Sequence, residues 1–308
     1  MDNLNTSNSP VASRTTRRVM IDMLIALAPA TVAAIVFFGL RAAVTIAVCV
    51  GSALLSEFLF NLLAKKEQTV GDLTAVVTGL LLALNLSTNV TIWQCLVGSV
   101  FAIVIVKCAF GGLGYNFANP AIAARVMLLI AFSDVAGGAM TSFSELESGA
   151  TPLAILGGAE GTLPSILDML LGNRGGAIGE TCAIALLLGG IYLVIRKVIT
   201  WHIPVVYIGG VFLLSLAFGA SITDAVYHVL GGGLILGAIF MATDPVTSPK
   251  KWLGKIIFAL CCALITVLIR FYGSYPEGAS FAILIMNILC PYIDMIGAKK
   301  QKTEEVAE

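Results

Sequence analysis

Apolar residues run along this chain in long unbroken blocks, not in the spaced stripes of a soluble helix or the alternation of a half-buried strand. A membrane helix needs about 20 mostly apolar residues. Ten blocks approach or reach that length, at roughly 19–40, 42–63, 73–87, 90–109, 119–132, 177–196, 201–219, 224–242, 252–270 and 278–297. Two of them, 73–87 and 119–132, are unusually short. The pattern predicts an all-α polytopic membrane protein of about ten transmembrane helices. The longest stretch between blocks, 133–176, is too small for an independent soluble domain and large enough for a functional loop. The chain is therefore expected to divide into a first five-helix half (1–132), that loop (133–176), a second five-helix half (177–298) and a tail (299–308). Arg14, Arg17 and Arg18 precede the first block, as in a signal peptide. Its apolar run of about 20 residues exceeds the 7–15 of a signal core, so it reads as a retained helix.

Composition narrows the class. Of 308 residues, 58% are apolar and 12% charged, with a mean hydropathy of +0.96. A soluble domain carries about 25% charged residues, so soluble globular and disordered classes are excluded. Lys+Arg and Asp+Glu both number 18. With no basic excess to neutralise phosphates, no nucleic-acid partner is expected; the expected surroundings are membrane lipid.

Charge placement sets an orientation, because Lys and Arg concentrate in cytoplasmic loops. With ten spans and the N-terminus inside, the inner segments hold Arg14, Arg17, Arg18, Lys65, Lys66, Lys107, Arg196, Lys197, Lys250, Lys251, Lys255, Lys299, Lys300 and Lys302. The outer ones hold Arg41, Arg174 and Arg270, and Arg125 falls within the fifth span. Both termini are thus expected in the cytoplasm and loop 133–176 outside. Five spans per half give the halves opposite orientations, the arithmetic of an inverted repeat. Gly79–Thr88 (GLLLALNLST) and Gly237–Val246 (GAIFMATDPV) hold matching places in the two halves, each running from glycine through an apolar stretch to a polar end. Short or interrupted spans in such positions point to a binding site.

Seven cysteines (Cys49, Cys95, Cys108, Cys182, Cys261, Cys262 and Cys290) lie in or beside the blocks, with no CxxC pair. They read as small buried hydrophobes; iron–sulfur ligation would need further cysteines from a partner subunit. His202 and His228 read as interfacial or packing residues.

Four segments carry candidate chemistry. In Gly111–Ala121 (GGLGYNFANPA), Asn119 is a plausible N-cap and Pro120 a first-turn residue. The segment is either a capped turn or a helix start aimed at an anion or a polar ring edge. As a dinucleotide fingerprint it fails, since no strand precedes it. In Met241–Pro249 (MATDPVTSP), Asp244 is either a helix terminator or a cofactor- or ion-contacting acid. Glu57, midway through the second block, should face the bundle interior. It either pairs with a basic residue such as Arg125 or lines a cation path. Asp72 and Asp224 read as helix-start acids, with Asp72 a further ion-path candidate. Finally, Ser148-Gly149-Ala150-Thr151-Pro152-Leu153-Ala154 is a small-residue turn. Pro152 biases Thr151 toward an extended conformation, and its small neighbours leave the hydroxyl open.

The SGAT of Ser148–Thr151 resembles the motif by which one family esterifies FMN to a threonine. That family comprises the D subunit of the Rnf complex and the B subunit of the Na⁺-translocating NADH:quinone reductase. Val70–Leu86 (VGDLTAVVTGLLLALNL), Gly111–Ala121 and Met241–Pro249 look like the same family, in the family's order, over nearly the whole chain. The short chain and brief N-terminal tail are nearer the Rnf side. The resemblance implies a prokaryotic plasma-membrane subunit of an ion-translocating ferredoxin:NAD⁺ oxidoreductase, with FMN covalently held on Thr151. A noncovalent riboflavin is a further possibility for such subunits. Ser148, Gly149, Ala150, Asn116, Asn119 and Asp244 are the accompanying cofactor-site candidates. The other Rnf subunits (A, B, C, E and G) would supply NAD binding and iron–sulfur centres. One departure is Ala154, where relatives commonly carry a second hydroxyl; this leaves Thr151 as the only hydroxyl on that side and weakens any idea of a backup acceptor. A small-solute channel with inverted repeats is the competing class, and a scaffold in a larger complex is a third; neither needs a flavin.

Overall fold

The computed structural model describes residues 16–132, 139–140, 148–149, 151–172, 174–180, 182–273 and 277–305, with 139–140, 148–149 and 296–305 as backbone only. The described chain is helical apart from a two-residue pairing of β1 (Ala139–Met140) with β2 (Ser148–Gly149), in antiparallel register Met140 opposite Ser148.

The first half begins with α1 (Thr16–Leu63). It is two helices, 16–38 and 40–63, because Gly39 leaves the helical region at φ 61, ψ −143. A turn at Val70–Asp72 leads into α2 (Thr74–Leu84). The next helix, α3 (Ile92–Val100), continues as a π-helical stretch, Phe101–Cys108, and α4 follows at Pro120–Ala131. Two short helices, α5 (Pro152–Leu156) and α6 (Ile166–Leu171), lie between the halves. The second half holds α7 (Ala183–Ile195), α8 (His202–Ala217), α9 (Ile222–Leu230), α10 (Leu234–Leu236, continuing as a π-helical Gly237–Met241), α11 (Trp252–Tyr272) and α12 (Ala279–Glu305).

Each of the ten apolar blocks contains a helix, with three differences from the expected bounds. The block at 224–242 is broken: α9 and α10 meet at 60° across Gly231–Gly233, where Gly232 and Gly233 take φ of 66 and 65. Side chains rarely adopt that conformation, and three consecutive glycines were the available signal. The block at 177–196 becomes helical only at Ala183. Instead of continuing a helix, Ile178 and Gly179 donate their amides to Leu86 O and Leu84 O at 2.8 and 2.7 Å, capping the end of α2. The tail expected from 299 continues α12 as far as Glu305.

Two helices, Thr16–Leu63 and Trp252–Tyr272, are by themselves long and apolar enough to cross a membrane, and the bent α9–α10 pair makes a third. Shorter apolar helices complete the bundle. Their outward faces are greasy: Val32, Val36, Leu188, Ile191, Val205 and Leu213 are all exposed. A soluble protein rarely leaves such a continuous surface to water, whereas lipid covers it at no cost. Inside, one core draws on both halves, including Leu27, Leu82 and Leu128 from the first and Tyr207, Phe240 and Phe258 from the second. The halves join where α1 packs on α7 and α4 packs on α12.

Small residues permit those close approaches. A Cβ at Gly189 of α7 would run into Ala26 O of α1. A backbone oxygen on a core helix cannot give way cheaply, so Gly189→Ala is expected to destabilise by roughly 1–3 kcal/mol through overpacking. A lowered thermal midpoint in detergent checks this; an unchanged midpoint would mean the α1–α7 contact is loose.

Candidate functional site

Several polar residues of the core line the two ends of α10. At about 1.5 Å per helical residue the ends lie roughly 12 Å apart.

One end carries the cluster around Glu57, on the second half of α1. Its Oε1 accepts from Lys107 Nζ at 2.8 Å and from Thr69 Oγ1 at 2.5 Å. Lys107, in the π-helical stretch after α3, also donates to Thr74 Oγ1 at 2.5 Å. Thr74 Oγ1 in turn donates to Asp72 Oδ1 at 2.5 Å, and the Thr74 amide reaches the same oxygen at 2.7 Å. Asp72 is thus the helix-start acid of α2. Glu57 and Lys107 are almost wholly buried, at 1% and 4% side-chain exposure. The pairing of Glu57 with Arg125 is not formed: Arg125 is bound to Glu277, far along the chain. The sequence could not distinguish the two cations, since only the packing of α1 against the π-helical stretch brings Lys107 into range.

Two clefts adjoin this cluster. One is lined by Glu57, Asn61, Thr69, Asp72, Lys107 and Gly111. The other is lined by Thr74, Lys107, Asn116, Asn119, Phe240, Thr243 and Asp244. Lys107 and Leu113 belong to both walls. Asn119 caps α4 as its position suggested, with Oδ1 accepting from Ala121 N and Ile122 N at 3.0 and 3.2 Å. Its Nδ2 reaches Asp244 Oδ2 at 3.4 Å, and its own amide donates to Asn287 Oδ1 at 3.1 Å. Asp244 both ends the broken span and faces the cleft. Its Oδ1 accepts from the Val246 amide at 3.0 Å. Enclosure pushes its carboxyl above the usual carboxylate range, an effect the Val246 amide partly offsets. Asn116 holds Ala118 O at 2.9 Å. Three candidates scattered over the sequence, Asn116, Asn119 and Asp244, therefore share one cleft wall.

The other end of α10 carries Thr151. The residue is extended (φ −66, ψ 154) and half-buried, and its Oγ1 accepts from Ala154 N, capping α5. The next turn is anchored by Leu153, which is buried. Leu153 lies so close to the helix break that a Cβ on Gly232 would come within 2.5 Å of its Cδ1. Ser148 and Gly149 are described as backbone in β2, and Ala150 lies outside the described residues. A half-buried secondary hydroxyl, fixed as a helix cap on a segment pinned by Leu153, suits a phosphoester linkage.

Around the break sits a charge network that the sequence pattern does not reveal. Arg270 donates to the carbonyls of Glu277 at 2.8 Å, His228, and Gly231 at 3.2 Å. Arg174 Nη2 donates to Glu180 O and Leu230 O, both at 2.7 Å. The two arginines satisfy the carbonyls freed where α9 ends, as irregular backbone at membrane depth requires. His228 stacks on Phe271 with ring centres 5.2 Å apart, and His202 on Trp201 at 4.3 Å, which are packing roles.

The fold and these clefts define a helical membrane protein with a broken span and polar sites at both of its ends. Its sequence matches the NQR2, RnfD, RnfE family over residues 5–302, and the chain belongs to that family. It is 46% identical to the D subunit of the Na⁺-translocating ferredoxin:NAD⁺ oxidoreductase complex of Acetobacterium woodii, covering 95% of this chain and 93% of that protein. It is 40% identical to the D subunit of the proton-translocating ferredoxin:NAD⁺ oxidoreductase complex of Clostridium ljungdahlii, covering 90% and 88%. A third relative, the D subunit of the ion-translocating oxidoreductase complex of Halorhodospira halophila, is 35% identical over 90% and 88%.

Proposed function

We propose that this chain is the D-type membrane subunit of an ion-translocating ferredoxin:NAD⁺ oxidoreductase of the Rnf type. Its partners are the other Rnf subunits, A, B, C, E and G, which supply NAD binding and iron–sulfur centres. It lies in a prokaryotic plasma membrane as ten spans in two inverted five-helix halves, with both termini cytoplasmic. The observation that carries this reading is near-full-length similarity to two ferredoxin:NAD⁺ oxidoreductase subunits, joined to a half-buried Thr151 that caps α5 in the matching motif.

In this reading Thr151 carries FMN on the outer face, and the bound flavin supplies one- and two-electron transfer. Thr151 fixes the attachment oxygen at the head of α5, and Leu153 holds that helix against the broken span. In the cleft of Asn116, Asn119 and Asp244, the Asn116 amide and the Asp244 carboxyl would meet the polar edge of a second flavin ring, riboflavin by preference, while Asn119 holds the wall together. Glu57, Asp72 and Asp244 are the acids of the ion path, with Lys107 as the charge that Glu57 must release or share.

Intact mass of the chain taken from the purified complex tests the redox half of this reading. The expected result is one added FMN on the chain and flavin absorbance in the complex. An unmodified mass would remove the covalent flavin and leave a channel or scaffold role.

A further inference from the structure

We propose that Glu180 is a monovalent-cation site in the outer half of the protein, binding Na⁺ or a proton through Oε2 at the break between α9 and α10. The proposal rests on the ion-translocating reading above and adds a site that reading does not contain.

Glu180 is 5% exposed. Its own amide donates to Ala177 O at 3.1 Å, and Oε2 has no hydrogen-bond partner among the described residues. An unpaired carboxylate oxygen in the interior is costly unless a cation or a proton occupies it. The space it faces is defined by Gly233. A Cβ built there would lie 3.3 Å from Glu180 Oε2 and 3.9 Å from Asn85 Oδ1. Two oxygens therefore converge where the chain carries no side chain. The orientation of Asn85 follows from its Nδ2, which donates to Leu81 O at 2.8 Å and contacts Met241 Sδ at 3.2 Å, turning Oδ1 away. Gly232 and Gly233 are left-handed, so the peptide groups between the two helices are unwound. The carbonyls of His228, Leu230 and Gly231 at the break are held by Arg270 and Arg174, so the oxygens facing this space are those of Glu180 and Asn85.

Among the described residues, the charged groups facing Glu180 are Arg174, Glu277, Arg125 and Arg270. Arg125 is bound to Glu277. Arg270 is spread over three carbonyls, and Arg174 Nη2 holds the carbonyls of Glu180 and Leu230. None of these bonds ends on Oε2. A single carboxylate oxygen is open at this point among the described residues, whereas divalent cations gather several carboxylates. Proton binding is a simple exchange, carboxylate plus H⁺ giving the neutral acid.

The test uses the whole complex in liposomes, with ferredoxin-to-NAD⁺ electron transfer followed against Na⁺ at fixed pH and against pH without Na⁺. Glu180→Gln keeps the shape but removes the charge; it is expected to lose the ion dependence of the rate. Glu180→Asp keeps the charge and withdraws the oxygen; it is expected to need more cation, or a lower pH, for half-maximal rate. A shift on the Na⁺ axis identifies Na⁺, and a shift on the pH axis alone identifies the proton. Wild-type ion dependence in Glu180→Gln overturns the site. Should Glu180→Gln fail to assemble, Glu180→Asp decides, and a wild-type half-maximal point there overturns it. Failure of both to assemble assigns Glu180 to the fold and also overturns it. A wild-type complex with no ion-dependent electron transfer would instead bring down the functional reading itself.

Discussion

Thr151→Asn is expected to abolish covalent flavin while leaving the protein folded and membrane-bound. The two duties of Thr151 can be separated because they use the same oxygen differently. As an N-cap it accepts a hydrogen bond from Ala154 N at 3.2 Å. As an ester acceptor it must present a hydroxyl. Asn caps at least as well as Thr, whereas Ala loses about 1 kcal/mol at a cap position. Thr151→Ala therefore confounds loss of the linkage with loosening of α5, and with it the seating of Leu153 on Gly232. Thr151→Ser retains both the cap and a hydroxyl, and is expected to keep some flavin. In-gel fluorescence of the denatured chain reads the linkage, and membrane yield reads the fold. A fluorescent Thr151→Asn band would place the flavin elsewhere, and Ala154 offers no neighbouring hydroxyl to take over.

Breaking the buried pair between Glu57 and Lys107 is expected to have the largest effect on stability. Lys107→Met leaves a carboxylate at 1% exposure with only the Thr69 hydroxyl on Oε1, since Oε2 already lacks a partner among the described residues. Stranding one member of a buried pair costs about 3–5 kcal/mol. Replacing both members with apolar residues of similar volume is often neutral or stabilising, so Glu57→Leu combined with Lys107→Met is expected to recover most of the loss. Denaturation midpoints of the two single variants and the double variant measure the coupling. Ion uptake by the double variant then separates two roles. If Glu57 only balances Lys107, the recovered protein transports normally. If Glu57 belongs to the ion path, stability returns and transport does not. Additive losses in stability would show that the pair is not an energetic unit.

The helices and most of their bounds were legible in the sequence because each is dictated locally. Twenty or so apolar residues must be helical in lipid, Asn119-Pro120 starts α4, and Ser221 with Asp224 forms the capping box of α9. Partners across the core were not legible. Glu57 chooses Lys107, 50 residues away, and Arg125 goes to Glu277, 152 residues away. Glu180 was not legible because it sits at the edge of an apolar block, where its neighbours in sequence say nothing of Gly233 or Asn85.

Taken alone, the sequence determined that this is a helical membrane protein and which motif resembles a flavin linkage. These follow from hydrophobicity, charge and short-range chain geometry. The tertiary structure alone decided that the eighth apolar block is broken, that Asn116, Asn119 and Asp244 share a cleft, and which acids are paired or left open. A buried charge is governed by the few atoms within hydrogen-bond reach, and the packing of distant helices sets which atoms those are.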